Sequence, residues 1–151
     1  KKRYITLVRG RLPKPSGLID VPLSEHQQTA KSKSVRGVNM QEARTRYKVV
    51  AQTSQVALVT CTIETGRTHQ IRRHFAAIGH EVVGDAKYGD FAFNREAKAK
   101  WGLKRLFLHA ESLEFPHPED QRKIKIESQL PDELLEVIQR AGLPSLAGTH
   151  K

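Results

Sequence analysis

Val56-Ala57-Leu58-Val59-Thr60-Cys61-Thr62-Ile63 runs directly into Glu64-Thr65-Gly66-Arg67-Thr68-His69-Gln70-Ile71-Arg72-Arg73-His74, and this junction decides how the rest of the chain is read. The first eight residues are apolar and β-branched enough for a mostly buried strand. From Ile71 the period changes: Ile71, Phe75 and Ile78 stand at offsets of four and seven, on one face of a helix that Gly79 stops. Arg67, Arg72 and Arg73 lie at or beside the start of that helix, where the dipole disfavours positive charge, so an anionic group is expected to compensate them. Taken singly, Arg67 and Arg73 read as solvated charges, and His69 and Gln70 as partners of local backbone groups. Taken together, three arginines and two histidines point to phosphate contacts or to an arginine held against a catalytic carboxylate.

The charge of the whole chain is distributed to match. Residues 1–75 hold fifteen Lys/Arg against four Asp/Glu, a balance of +11, whereas residues 76–151 hold eleven against twelve, a balance of −1. A basic first half favours a polyanionic partner, RNA or DNA before others, without separating an enzyme from a binder. With 151 residues the chain has room for one domain with a real core. It has no long apolar span and no signal-peptide pattern, so membrane insertion and secretion are not indicated and a cytoplasmic location is expected. Cys61, the single cysteine, forms no internal disulfide and makes no zinc site alone; its apolar strand favours a buried thiol.

Outward from the junction, Glu42–Val50 alternates as a strand and turns at Thr53-Ser54 into Val56–Ile63, a hairpin. Lys1–Val8 opens the chain as another strand, in which Tyr4 is either an ordinary core-packing ring or a ring beside a basic groove on which a base stacks. Gly10–Gly17 is a proline-rich turn, Leu18–Leu23 a short edge strand, and His26–Asn39 an exposed polar segment whose Lys31, Lys33 and Arg36 suit phosphate contacts. Beyond the helix, His80–Val83 is extended and Gly84–Asp90 is a glycine-bounded loop lacking the spacing of a phosphate-binding motif. In that loop Asp85 caps a turn or accepts hydrogen bonds from loop amides. Asn94 is expected to cap a short helix over Arg95–Trp101, Arg105–Ala110 to begin a strand reaching Phe115, and Lys123–Glu127 to alternate as a half-exposed strand. Asp132–Arg140 forms an amphipathic helix with Leu134, Leu135 and Ile138 inward. The class is α+β: a mostly antiparallel or mixed sheet with peripheral helices, one unit over residues 1–143 and a tail over 144–151.

At Gly66-Arg67-Thr68-His69-Gln70-Ile71-Arg72 the sequence resembles the RluA-type family of RNA pseudouridine synthases. The likeness continues through Gly79-His80, Gly84-Asp85, Tyr88-Gly89, Arg105–Ala110, Phe115 and His117-Pro118, and upstream through Lys2-Arg3-Tyr4, Leu7–Gly10 and Glu42–Thr45. The pattern around Arg95–Leu108 is most similar to the branch acting on large-subunit ribosomal RNA. The resemblance implies a pseudouridine synthase catalytic domain, needing neither cofactor nor metal. It implies that Tyr4 stacks on the target base, that Arg72 pairs with the catalytic aspartate, and that Leu108 lines the uracil pocket. Arg67, His69 and Arg73, with Lys31, Lys33 and Arg36, are the candidate RNA contacts.

One departure matters. The family nucleophile lies in a His-Arg-Leu-Asp motif followed by Thr-Ser-Gly, upstream of the tyrosine matched by Tyr4, and no such motif stands in these residues. Asp20, Asp85 and Asp90 have other contexts. The expectation is therefore a C-terminal portion of a larger catalytic domain, inactive alone, whose parent isomerises uridine in RNA, ribosomal RNA first; the alternative is a noncatalytic RNA-binding protein of the same fold.

Overall fold

The computed structural model describes residues 1–25 and 39–144; Lys31, Lys33, Arg36 and all of the expected tail except Pro144 lie outside the described residues. Six strands form one sheet in the order β2-β5-β6-β1-β7-β8, built from β1 (Lys2–Arg9), β2 (Ser16–Asp20), β5 (Arg44–Gln52), β6 (Val56–Ile63), β7 (Leu108–Pro116) and β8 (Lys123–Glu127). Every pairing in it is antiparallel. A separate two-stranded ribbon joins β3 (Leu23–Ser24) to β4 (Met40–Gln41). The helices are α1 (Gln70–Ala77), α2 (Phe91–Trp101) and α3 (Asp132–Arg140). The fold is α+β, as the residue pattern implies.

Strand alternation divides the core between the two faces of the sheet. Ile5, Leu7, Val56 and Leu58 point to one side, where they meet Ala97 and Trp101 of α2 and Leu134, Val137 and Ile138 of α3. Val8, Ala57, Val59 and Cys61 point to the other, where Ile71 and Phe75 of α1 close over them. The Phe75 ring stands 5.8 Å from that of Tyr47 on β5. Burying such a side chain completely stabilises the fold by about 1.5–3 kcal/mol. Burial among these aliphatic groups also pushes the Cys61 thiol up, out of the reactive range.

Several boundaries differ from expectation for identifiable reasons. Only Ile71 and Phe75 of the apolar trio are buried; Ile78 is the helix C-cap and is largely exposed, because the helix ends before it turns inward. Helix α2 begins four residues earlier than Arg95, since the Asp90 side chain accepts from the Phe93 amide and takes the capping role assigned to Asn94. In α3, Val137 is fully packed and Leu135 only partly so. The stretch around Val82 and Val83 is a connecting segment, held by a single bridge from Val82 to Val8 and by the Phe107 amide on the Val83 carbonyl.

Candidate active site

The start of α1 is fixed by a buried polar network rather than by a conventional cap. Gln70, between the backbone of β5 and the turn before the helix, accepts from the Thr65 hydroxyl (2.6 Å) and the Arg67 amide (3.2 Å). Its amide nitrogen donates to the Arg44 carbonyl (2.8 Å) and the Thr45 hydroxyl (3.0 Å). One turn on, fully buried His74 lies 2.7 Å from the Thr45 hydroxyl through Nδ1 and 2.8 Å from the Val21 carbonyl through Nε2. A carbonyl only accepts, so Nε2 carries a proton; burial pulls the His74 pKa down and favours the neutral ring, in which Nδ1 accepts from the Thr45 hydroxyl.

His69 enters α1 in the left-handed region, φ 51°, which is uncommon for a side chain of this size. Its ring does not cap the helix; Nδ1 lies 2.9 Å from the Tyr88 hydroxyl and the two rings meet edge to face. Desolvation, helped by the neighbouring Arg72 charge, lowers its pKa. Of the two residues read as serving local backbone, Gln70 does so and His69 does not.

Arg72, three residues after His69, is already matched by an acid. Nε donates to Asp85 Oδ2 at 2.8 Å and Nη2 to Oδ1 at 2.9 Å, a two-pronged fork, with the guanidinium 5.0 Å from the centre of the Tyr88 ring. The Asp85 side chain has 0% of its surface exposed and that of Arg72 17%. Oδ1 also accepts the Lys87 and Tyr88 amides, at 2.9 and 3.0 Å. Burial pushes the Asp85 carboxyl up, but Arg72 and the two amides outweigh it and hold it below the usual carboxylate range. The anion expected beside the helix start is thus present within the chain, and Nη1 keeps no hydrogen-bond partner among the described residues.

The other sequence candidates are placed as follows. Tyr4 and Leu108 sit on adjacent strands, since Tyr4 pairs with Ala110 and Thr6 with Leu108, and alternation puts both side chains on the α1 face. Both pack against the cluster that holds Ile71, the residue before Arg72 on α1. An open pocket beside Tyr4 is lined also by Lys2, Ala110, Leu113 and Ile126; Arg72 and Leu108 do not line it. Arg67 is half-buried and gives Nε to the Glu42 carbonyl at 2.9 Å. Arg73, expected among the RNA contacts, is 6% exposed and donates to the Thr68 carbonyl and to the carbonyl and hydroxyl of Ser24, so its charge faces the interior. Of the acids passed over as nucleophiles, Asp85 is held in the fork and Asp90 at the α2 cap, while Asp20 ends β2 with its side chain exposed.

Asp85, Tyr88, Thr65 and Thr45 were missed as members of this site, and His74, counted with the basic helix start, is instead buried against Thr45 and Val21. The Gly84-Asp85 and Tyr88-Gly89 pairs were visible as a pattern, but their meeting with Arg72 depends on how the chain folds back after α1. No helix among the described residues is long and apolar enough to cross a membrane, and no group of three metal-ligating side chains occurs among them.

Comparison with known proteins gives this geometry its context. Residues 1–77 match the model of the family described as RNA pseudouridylate synthase. Ribosomal large subunit pseudouridine synthase D of Nitrosomonas europaea is 38% identical over 140 residues, 92% of this chain and 40% of that protein. Ribosomal large subunit pseudouridine synthase C of Escherichia coli O157:H7 is 37% identical over 142 residues, 93% of this chain and 44% of that protein. The chain therefore spans about two fifths of the length of these curated relatives. Among solved structures, human RNA pseudouridylate synthase domain containing 4 superposes with a TM-score of 0.72 at 27% identity, covering 93% of this chain and 61% of that one. Human RNA pseudouridylate synthase domain containing 1 gives 0.69 at 28%, covering 86% and 54%. With half of its length matched by the family model and its sheet shared with two solved members, this chain belongs to the RNA pseudouridylate synthase family.

Proposed function

We propose that the protein carrying this chain isomerises uridine to pseudouridine in RNA, with large-subunit ribosomal RNA as the substrate. The observation that carries the reading is the shared face: Tyr4 and Leu108 lie on the side of the sheet that α1 covers, and Arg72 belongs to that helix, which buried hydrogen bonds lock in place. A uridine flipped out of its RNA stacks on Tyr4 against the apolar side of Leu108. A nucleophilic aspartate from an upstream segment, outside these 151 residues, approaches Nη1 of Arg72 and is held there as the carboxylate.

The aspartate opens covalent chemistry at the nucleoside. The bond from N1 of the base to the ribose breaks, the base turns, and C5 bonds to the ribose carbon. The C5 proton leaves with the help of Tyr4, and N1 gains a proton, so the reaction is a balanced isomerisation. A cytoplasmic location follows from the same reading.

The test is made on the full-length protein. Arg72→Ala would orphan the buried Asp85 charge, so Arg72→Lys is the better probe: it keeps a cation and loses the fork. Conversion of ribosomal RNA should fall by about a hundredfold while RNA affinity stays within about twofold. Equal loss of both would make Arg72 a phosphate contact. RNA binding by the wild-type protein with no conversion would favour the noncatalytic binder.

A further inference from the structure

We propose that Asp85 is a positioning residue for Arg72: it occupies Nε and one N–H of Nη2, fixes the plane of the guanidinium, and leaves the outer edge, Nη1 with the second N–H of Nη2, to the attacking carboxylate. This inference rests on the reading above and assigns Asp85 a place in it. The fork is rigid because Asp85 is itself clamped. Its side chain accepts two bonds from Arg72 and two from loop amides, and Asn94 of α2 donates to its carbonyl at 2.9 Å. The same Asn94 accepts the Gly84 amide at 2.8 Å. A side chain at Gly89 would place its Cβ 2.3 Å from the Asp85 carbonyl, so the loop closes this tightly only around glycine.

The charge around Arg72 gives the arrangement a second consequence. Asp85 and Tyr88 lie against it from the loop, Lys87 stands over the same Tyr88 ring, and His69 meets its charge from the residue before the helix. Asp85 is the one carboxylate among these groups, and it neutralises part of the guanidinium charge. A second carboxylate on Nη1 shares what is left, so Asp85 gains geometric precision at the expense of a weaker pull on that carboxylate's proton.

The experiment compares wild type, Asp85→Asn and Asp85→Glu in the full-length protein, measuring kcat against pH, RNA affinity and thermal stability. Asp85→Asn keeps the shape and removes the charge: kcat should fall about tenfold or more, RNA affinity should stay within about twofold, and the acid limb should move down by about half a pH unit. Asp85→Glu keeps the charge and displaces it, so kcat should fall with the acid limb in place. A fall in kcat that only tracks the folded fraction, with the limb unmoved in Asp85→Asn, overturns the proposal, and so does wild-type kcat in Asp85→Glu, which decides alone if Asp85→Asn does not fold. An inactive wild type would instead sink the functional reading and this inference with it.

Discussion

Gly84 and Gly79 have nearly the same backbone, with φ of 84° and 80°, and very different surroundings. A Cβ at Gly84 would lie 2.1 Å from the Arg105 carbonyl, whereas one at Gly79 would meet nothing within 4 Å. Gly79→Ala therefore costs only the left-handed conformation, about 1 kcal/mol. Gly84→Ala adds a backbone collision that no side-chain rotation relieves, for a total of about 3–5 kcal/mol. Urea titration of the two variants checks this, and equal losses would mean that the contact with Arg105 relaxes freely. The pair also shows what single residues disclose. Gly79 read as a helix stop and Gly84 as the boundary of a loop; only the fold, which brings the segment before β7 against Gly84, separates the replaceable one from the other. Arg72 behaves likewise: its need for an anion was legible from its place at a helix start, whereas the partner, thirteen residues on, was not.

Helix α1 shows why elements were easier to read than the interactions that seat them. Its apolar stripe announced a helix, and the change of period at Ile71 placed its start to within a residue. Its depth in the fold comes instead from Gln70 and His74, polar residues that a hydrophobic pattern sends to the surface and that are buried because β5 offers matching groups. A buried neutral histidine makes this seating pH-dependent. The folded-state pKa of His74 is lowered, so the unfolded chain binds its proton more readily; the contribution is fully present above the unfolded pKa of about 6.5 and is lost as pH falls through the folded value. His69 shifts in the same direction and Asp85 acts only in stronger acid. Denaturation should therefore show stability falling between about pH 7 and pH 5, and falling less in His74→Gln, which has no proton to gain. An unchanged pH slope in the variant would mean that His74 reaches solvent when charged.

At the scale of the molecule, the charge of the first half overstates what RNA can use. Of its fifteen Lys/Arg, twelve lie in described residues, and five of these, Arg3, Arg9, Arg44, Arg46 and Arg72, already have carboxylate partners. Arg73 faces inward. Counterion release follows the charges that are freed to meet phosphate, so the salt dependence of RNA binding should reflect the unpaired cations more than the formal total. Lys2 and Arg46 allow a local comparison, because both line the pocket that runs from the start of β1 to Gly66. Arg46 gives Nε to Glu64 at 3.0 Å, while no ion pair is recorded for Lys2 among the described residues. In the full-length protein, Lys2→Gln should reduce the slope of log affinity against log salt by about 0.7, the share of one phosphate on a single strand, and Arg46→Gln by much less. Equal reductions would show that RNA displaces Glu64 from Arg46 on binding, which would return the paired arginines to the RNA-binding surface and make the formal charge the better guide after all.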